Sequence, residues 1–113
     1  MTDKDKIVLQ KIMAYIDDVA RYVEGFSFEG FMADKKTLSA CAFSVSQIGE
    51  LAKEIGEDTQ EMHGHIPWKS IRGMRNRIVH DYENINLAVL WATVTKSLPE
   101  LAKQIGGVLS DAP

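Results

Sequence analysis

Apolar residues recur at steps of three and four along almost all of this chain and nowhere alternate, a pattern that builds helices and no sheet. Ile7, Val8, Ile12, Ile16, Val19 and Val23 form one face over roughly residues 4–24, and Gly25 supplies a C-terminal cap. Residues 25–33 read as a connection whose phenylalanines pack down. Asp34 is placed to N-cap a second helix. Its inward face is Leu38, Cys41, Ala42, Val45, Ile48, Ala52 and Ile55, and Gly56 is expected to end it. Small residues, Gly49 among them, are frequent there, so this helix can approach a neighbour closely. Residues 57–66 read as a polar loop turning at Gly64.

Pro67 stands where a first helical turn tolerates it. The third helix that follows turns Trp68, Ile71, Met74, Ile78 and Val79 inward. Residues 82–86 break the pattern. Asn86 then caps a fourth helix carrying Leu87, Leu90, Trp91, Val94, Leu98, Leu101, Ile105 and Leu109. Pro99 interrupts it, and Ser97-x-x-Glu100 has the spacing of a capping box, so a kink or restart is expected there. The expected fold is all-α, a single domain over residues 1–113: an antiparallel bundle of four main helices.

The bulk numbers fit that fold. A chain of 113 residues buries one modest core. Its apolar runs are too short to span a bilayer, and the first residues, Met-Thr-Asp-Lys-Asp-Lys, lack the apolar core of a signal peptide. The one cysteine has no internal partner, so a cytoplasmic setting is expected. A net charge of −3 argues against non-specific duplex binding over the whole surface.

The charge is unevenly placed. Residues 62–80 hold Lys69, Arg72, Arg75, Arg77 and all three histidines, with no acid. That segment is +4 in a chain of −3, which leaves −7 for the remainder. Within it, Arg75-Asn76-Arg77-Ile78-Val79-His80-Asp81-Tyr82 sets a permanent cation near a group that exchanges protons at neutral pH. This is what RNA phosphodiester cleavage needs. His80 is suited to take the 2′-hydroxyl proton or to protonate the leaving 5′-oxygen. Arg75 is suited to stabilise charge on the phosphorus oxygens. Asn76 is suited to orient phosphate or imidazole, and Lys69, Arg72 and Arg77 to hold flanking phosphates. The plainer reading is a solvated basic face in which Arg77 pairs with Asp81 and Tyr82 simply packs.

Helix geometry limits the first reading. At about 100° per residue, Arg75 and Tyr82 fall about 20° apart, but His80 lies about 140° from Arg75 and about 40° from Asn76. Arg75 and His80 converge only if the helix end is distorted, if the arginine swings round, or if a second chain contributes. A two-fold dimer with this helix near its axis would line one cleft with two copies of the segment.

The Arg-x4-His-x-Tyr pattern, Ser46-Gln47-Ile48-Gly49-Glu50, and the run from Ile66-Pro67-Trp68 through Gly73-Met74-Arg75-Asn76 together resemble the HepT-like toxins of the HEPN ribonuclease superfamily. The similarity spans nearly the whole chain. It implies an all-α bundle that dimerises around the motif helix, with Arg75 and His80 as the catalytic pair of an endoribonuclease needing no metal or other cofactor. It implies a MntA-type nucleotidyltransferase as antitoxin, transferring AMP to Tyr82. Added charge and bulk there would occupy the place meant for RNA phosphate. The competing expectation is a non-catalytic partner of such a nucleotidyltransferase that holds nucleotide or protein on the same patch.

Other candidates read as structural. His63-Gly64-His65 is a weak metal signal and a better loop at the cleft margin. Cys41 reads as core. Glu50 reads either as a carboxylate orienting a motif residue or as an ordinary surface group. Trp68 and Trp91 read as anchors of the core or the dimer interface.

Overall fold

The computed structural model describes residues 1–78 and 86–111. Helix α1 runs Asp3–Val23, opened by the Thr2 hydroxyl, which accepts from the Asp5 N–H. Gly25 follows its end at φ +79°, a conformation side-chain-bearing residues rarely adopt. The expected connection over 25–33 is itself partly helical. Ser27 caps α2, Phe28–Ala33, by accepting from Gly30 N–H at 3.1 Å, and Phe31 is fully buried. Asp34 caps α3, Lys35–Ala52, as expected, its carboxylate accepting from Thr37 N–H at 3.0 Å.

Helix α3 ends at Ala52, four residues before Gly56, which instead precedes α4, Glu57–Met62, inside the expected polar loop. Pro67 precedes α5, Trp68–Arg72. The expected third helix is broken at Gly73, and α6 follows as Met74–Ile78. Asn86 caps α7, Leu87–Ala92, accepting from Val89 N–H at 3.1 Å.

The interruption at Pro99 is a π turn over Thr93–Ser97, leading directly into α8, Leu98–Asp111. Pro99 has no N–H to offer the Thr95 carbonyl, and its ring crowds that oxygen. One wide turn just before the proline relieves the conflict. Ser97 lies inside this turn rather than heading a new helix, so it does not act as the expected cap.

Among the described residues, four main rods result: α1, α3, the pair α5–α6, and the α7–π–α8 run. Asp5 near the start of α1 meets Gly56 and Thr59, just past the end of α3, so α1 and α3 are antiparallel. Met1, Asp3 and Lys6 share a cavity with Val108 and Asp111, so α1 and α8 are antiparallel as well. The core is mainly aliphatic, with Leu9, Ile12, Val19, Ile48, Leu90, Leu98 and Ile105 essentially inaccessible beside Phe31. One position on the expected α1 face is corrected. Ile7 is half exposed and Leu9 is buried in its place, because the stripe toward α3 and α8 runs through Val8, Leu9, Ile12, Ile16 and Val19.

Asp5 is the main polar group inside. It accepts from the Gly56 N–H at 3.1 Å and from the Thr59 hydroxyl, tying α1 to the start of α4. Burial pushes its carboxyl up, but the Thr59 hydroxyl, the Gly56 N–H and the Thr2 hydroxyl outweigh that and hold it below the usual carboxylate value.

Candidate functional site

The basic segment is carried by α5 and α6, and α3 fixes where they sit. A Cβ on Gly49 would come within 3.3 Å of the Ile71 carbonyl and 3.6 Å of the Arg72 carbonyl. The bare glycine therefore seats the C-terminal end of α5 directly on the α3 backbone, which is the close approach its small residues foreshadowed. Trp68 and Ile71 bury on α5, and Met74 and Ile78 on α6. The Trp68 indole donates to the His63 carbonyl at 3.1 Å, anchoring the preceding loop.

On α6 the buried ridge is Met74 and Ile78, four apart. At about 100° per residue, Arg75 and Arg77 flank that ridge on opposite sides, and Asn76 points most directly outward. All three are exposed. Among the described residues, no side chain pairs with Arg75.

The two other arginines are braced. Arg77 donates to the Ser70 carbonyl at 3.2 Å, one of the oxygens that the end of α5 leaves without an intrahelical partner. Arg72 donates to Gln60 Oε1 at 2.8 Å, and Gln60 Nε2 donates in turn to the Ile55 carbonyl at 2.9 Å. Gln60 was not among the expected site residues, because it fell in what read as loop. Lys69 is exposed on α5. Lys69, Arg75 and Asn76 thus present polar groups to solvent, while Arg72 and Arg77 also fix the angle between α4, α5 and α6.

His80 and Tyr82, with the expected Arg77–Asp81 pairing and the inward turn of Val79, lie outside the described residues. On either side of them, the Asn86 N–H donates to the Ile78 carbonyl at 2.9 Å, holding the start of α7 against the end of α6.

The remaining candidates are resolved as structural groups. Cys41 is fully buried, and burial pushes its thiol up to about 11, against a nucleophilic role. Glu50 is exposed and pairs with Lys53 at 3.0 Å, the surface reading. Trp91 packs against Phe31 and Phe28, with ring centroids 4.9 and 6.0 Å away. The His63 and His65 rings stand 6.1 Å apart, and His63 lines the cavity shared by the start of α1 and the end of α8 rather than the face of α6. Among the described residues, no three His, Cys, Asp or Glu side chains gather into a metal-binding group.

The family model described as "Ribonuclease HepT-like" matches residues 12–108. The chain belongs to the HepT-like ribonuclease family. It is 36% identical over 101 residues to a protein of Caldanaerobacter subterraneus subsp. tengcongensis named "Putative RNase", covering 89% of this chain and 90% of that one. It is 34% identical over 101 residues to "Probable ribonuclease HepT" of Thermococcus cleftensis, covering 89% and 92%. No solved structure matches at a significant level. The all-α architecture accords with the membership. Among the described residues, no helix of this HepT-like chain is long and apolar enough to cross a membrane.

Proposed function

We propose that this protein is the toxin of a toxin–antitoxin pair, a metal-independent endoribonuclease of the cytoplasm. The observation that carries this reading is the exposed Arg75–Asn76 pair on a braced helix, in a chain of the HepT-like ribonuclease family. Arg75 stabilises the charge that grows on the phosphorus oxygens as the substrate 2′-oxygen attacks phosphorus and the bond to the 5′-oxygen breaks. His80, two residues past Ile78, moves a proton: off the 2′-hydroxyl, or onto the departing 5′-oxygen. The products are a 2′,3′-cyclic phosphate and a 5′-hydroxyl. Asn76 orients the phosphate. Lys69 holds a flanking phosphate, and Arg72 and Arg77 add positive field while bracing the helices.

Two copies of the chain form the working unit, with α6 near the two-fold axis and one shared cleft. A MntA-type nucleotidyltransferase silences it by transferring AMP from ATP to the Tyr82 hydroxyl, releasing pyrophosphate. The new phosphate then competes with RNA for Arg75.

The test is RNA cleavage in EDTA by protein whose intact mass shows Tyr82 unmodified, beside Arg75→Ala and His80→Ala. Cleavage that both variants lose is the expected result. Binding without cleavage, or equal cleavage by the variants, would replace the enzyme with a non-catalytic partner of the nucleotidyltransferase. Co-expression with the antitoxin should raise the mass by whole AMP units, and Tyr82→Phe should remove the main increment.

A further inference from the structure

The flank of α6 that carries Arg77 does not face open solvent alone. It forms one wall of a cleft of about 310 Å³ against α8. Ile71, Met74 and Leu101 make an apolar floor, and Arg77, Glu100 and Gln104 stand around it. Glu100 and Gln104 are four apart on α8, so they project from the same face of that helix. Because Ser97 is taken up in the π turn, Glu100 does not serve a capping box. Among the described residues its carboxylate has no hydrogen bond or ion pair.

An apolar slot with a cation on one wall and an acceptor pair on the other suits a flat, polar-edged ring. Arg77 is two residues from Arg75, about 5.4 Å between Cα atoms on a regular helix. Their side chains leave opposite flanks of α6 with Asn76 between them, so a strand that crosses this outward face with one phosphate at Arg75 carries a flanking nucleotide toward the mouth of the cleft. Unpaired RNA bases are read in this way, by apolar contact with the ring and hydrogen bonds to its edge.

We propose that this cleft is a base-recognition subsite for a nucleotide flanking the scissile phosphate, and that Glu100 makes it selective. It rests on the ribonuclease reading above. An ionised carboxylate only accepts hydrogen bonds. It favours bases with an exocyclic amino group, adenine, cytosine or guanine, over uracil, whose edge sets carbonyl oxygens beside its single N–H. Gln104 offers both donor and acceptor and completes the edge contact, while Arg77 closes the phosphate side.

The experiment uses oligonucleotides with a single ribonucleotide, so that one bond alone is cleavable, and varies the base on each flank of it. At one flanking position the wild-type protein is expected to cut amino-bearing bases about tenfold faster than uracil, the discrimination of one good base-edge contact. Glu100→Gln, an exposed and nearly isosteric change, is expected to level that preference by raising cleavage next to uracil. Equal rates for all four bases, or a preference that Glu100→Gln leaves intact, overturns the inference and leaves the ribonuclease reading standing.

A wild-type protein that cuts nothing overturns that reading instead. The cleft is then decided by binding of the same oligonucleotides to His80→Ala. Base-dependent affinity that Glu100→Gln removes supports the subsite, and base-blind affinity overturns it. Free nucleoside monophosphates provide the last arm. Affinity as high as that of the oligonucleotides would make this a free-nucleotide site and overturn the assignment to RNA.

Discussion

The Arg72 guanidinium donates to the Gln60 side-chain oxygen at 2.8 Å, which joins α5 to α4 across twelve residues of sequence. One of the four cations of the basic segment is therefore partly a structural brace, whereas Lys69 on the same short helix stands exposed. The two should behave differently. Arg72→Ala is expected to cost about 1 kcal/mol of stability, the net worth of a half-exposed charged hydrogen bond. Lys69→Ala should cost almost none. For RNA affinity the order reverses. Losing one phosphate contact to a single strand lowers the slope of log affinity against log salt by about 0.7. Denaturant titrations and RNA binding over a salt series would check both halves. A full loss of slope with Arg72→Ala at unchanged stability would contradict the brace.

Gly49 makes a second link between the core and the basic face. A methyl group there meets the Ile71 carbonyl at 3.3 Å, and that oxygen belongs to backbone, so α5 itself must shift. In Gly49→Ala, helix propensity returns up to about 1 kcal/mol and offsets much of the crowding. Stability should change little, but the displaced α5–α6 pair carries Arg75 with it. Sub-ångström misplacement is expected to lower cleavage about tenfold. Gly49→Val cannot be absorbed in the same way and should lose about 2 kcal/mol of stability. Unchanged turnover in Gly49→Ala would show that this contact does not set the position of Arg75.

Most of this architecture was legible in the chain because it rests on local chemistry. Asp34 and Asn86 cap the helices their side chains announce, and the three- and four-residue steps of Ile12, Ile16, Ile48 and Ile105 locate the core. The misses arose where tertiary contacts override local signals. Polar residues 57–62 are helical because the Asp5 carboxylate satisfies the Gly56 and Thr59 donors at the start of that turn, and Asp5 is more than fifty residues away. Gln60 and the α8 wall of the cleft were invisible for the same reason. A glutamine, or a Glu-x3-Gln pair on a helix, signals nothing until another helix is laid against it. At the motif, the fold describes where Arg75 and Asn76 stand, and the roles proposed for His80 and Tyr82, outside the described residues, rest on the family resemblance of the motif, since helical spacing alone sets His80 away from Arg75.

The Asp5 carboxylate also makes stability depend on acid. Its pKa lies below the ordinary 3.8, so the folded state favours the ionised form more than the unfolded chain does. That contribution is complete above the unfolded value and is lost as pH falls through the lower folded one. Wild type and Asp5→Asn should therefore differ by a constant amount between about pH 5 and 7. The amount is about 1–3 kcal/mol, because Gly56 and Thr59 lose a charged acceptor in a buried position. The gap should narrow only below 3.8. Urea unfolding at a series of pH values reads this directly. A gap that widens on acidification would reverse the assigned sign.

Arg75 provides the sharpest separation between positioning and charge. It is exposed, unlike Met74 and Ile78 beside it, so substitution leaves the core untouched. Lysine keeps the positive charge but loses the planar fork that engages two phosphate oxygens at once. If Arg75 stabilises the transition state, Arg75→Lys should lower the single-turnover cleavage rate by about 10²–10³ with RNA affinity nearly unchanged. If it merely attracts RNA, lysine should serve nearly as well and the rate should hold. Measuring both quantities on the same oligonucleotide, with thermal unfolding as a control, distinguishes the two. Loss of affinity in proportion to rate would move Arg75 from the reacting phosphate to the binding surface around it.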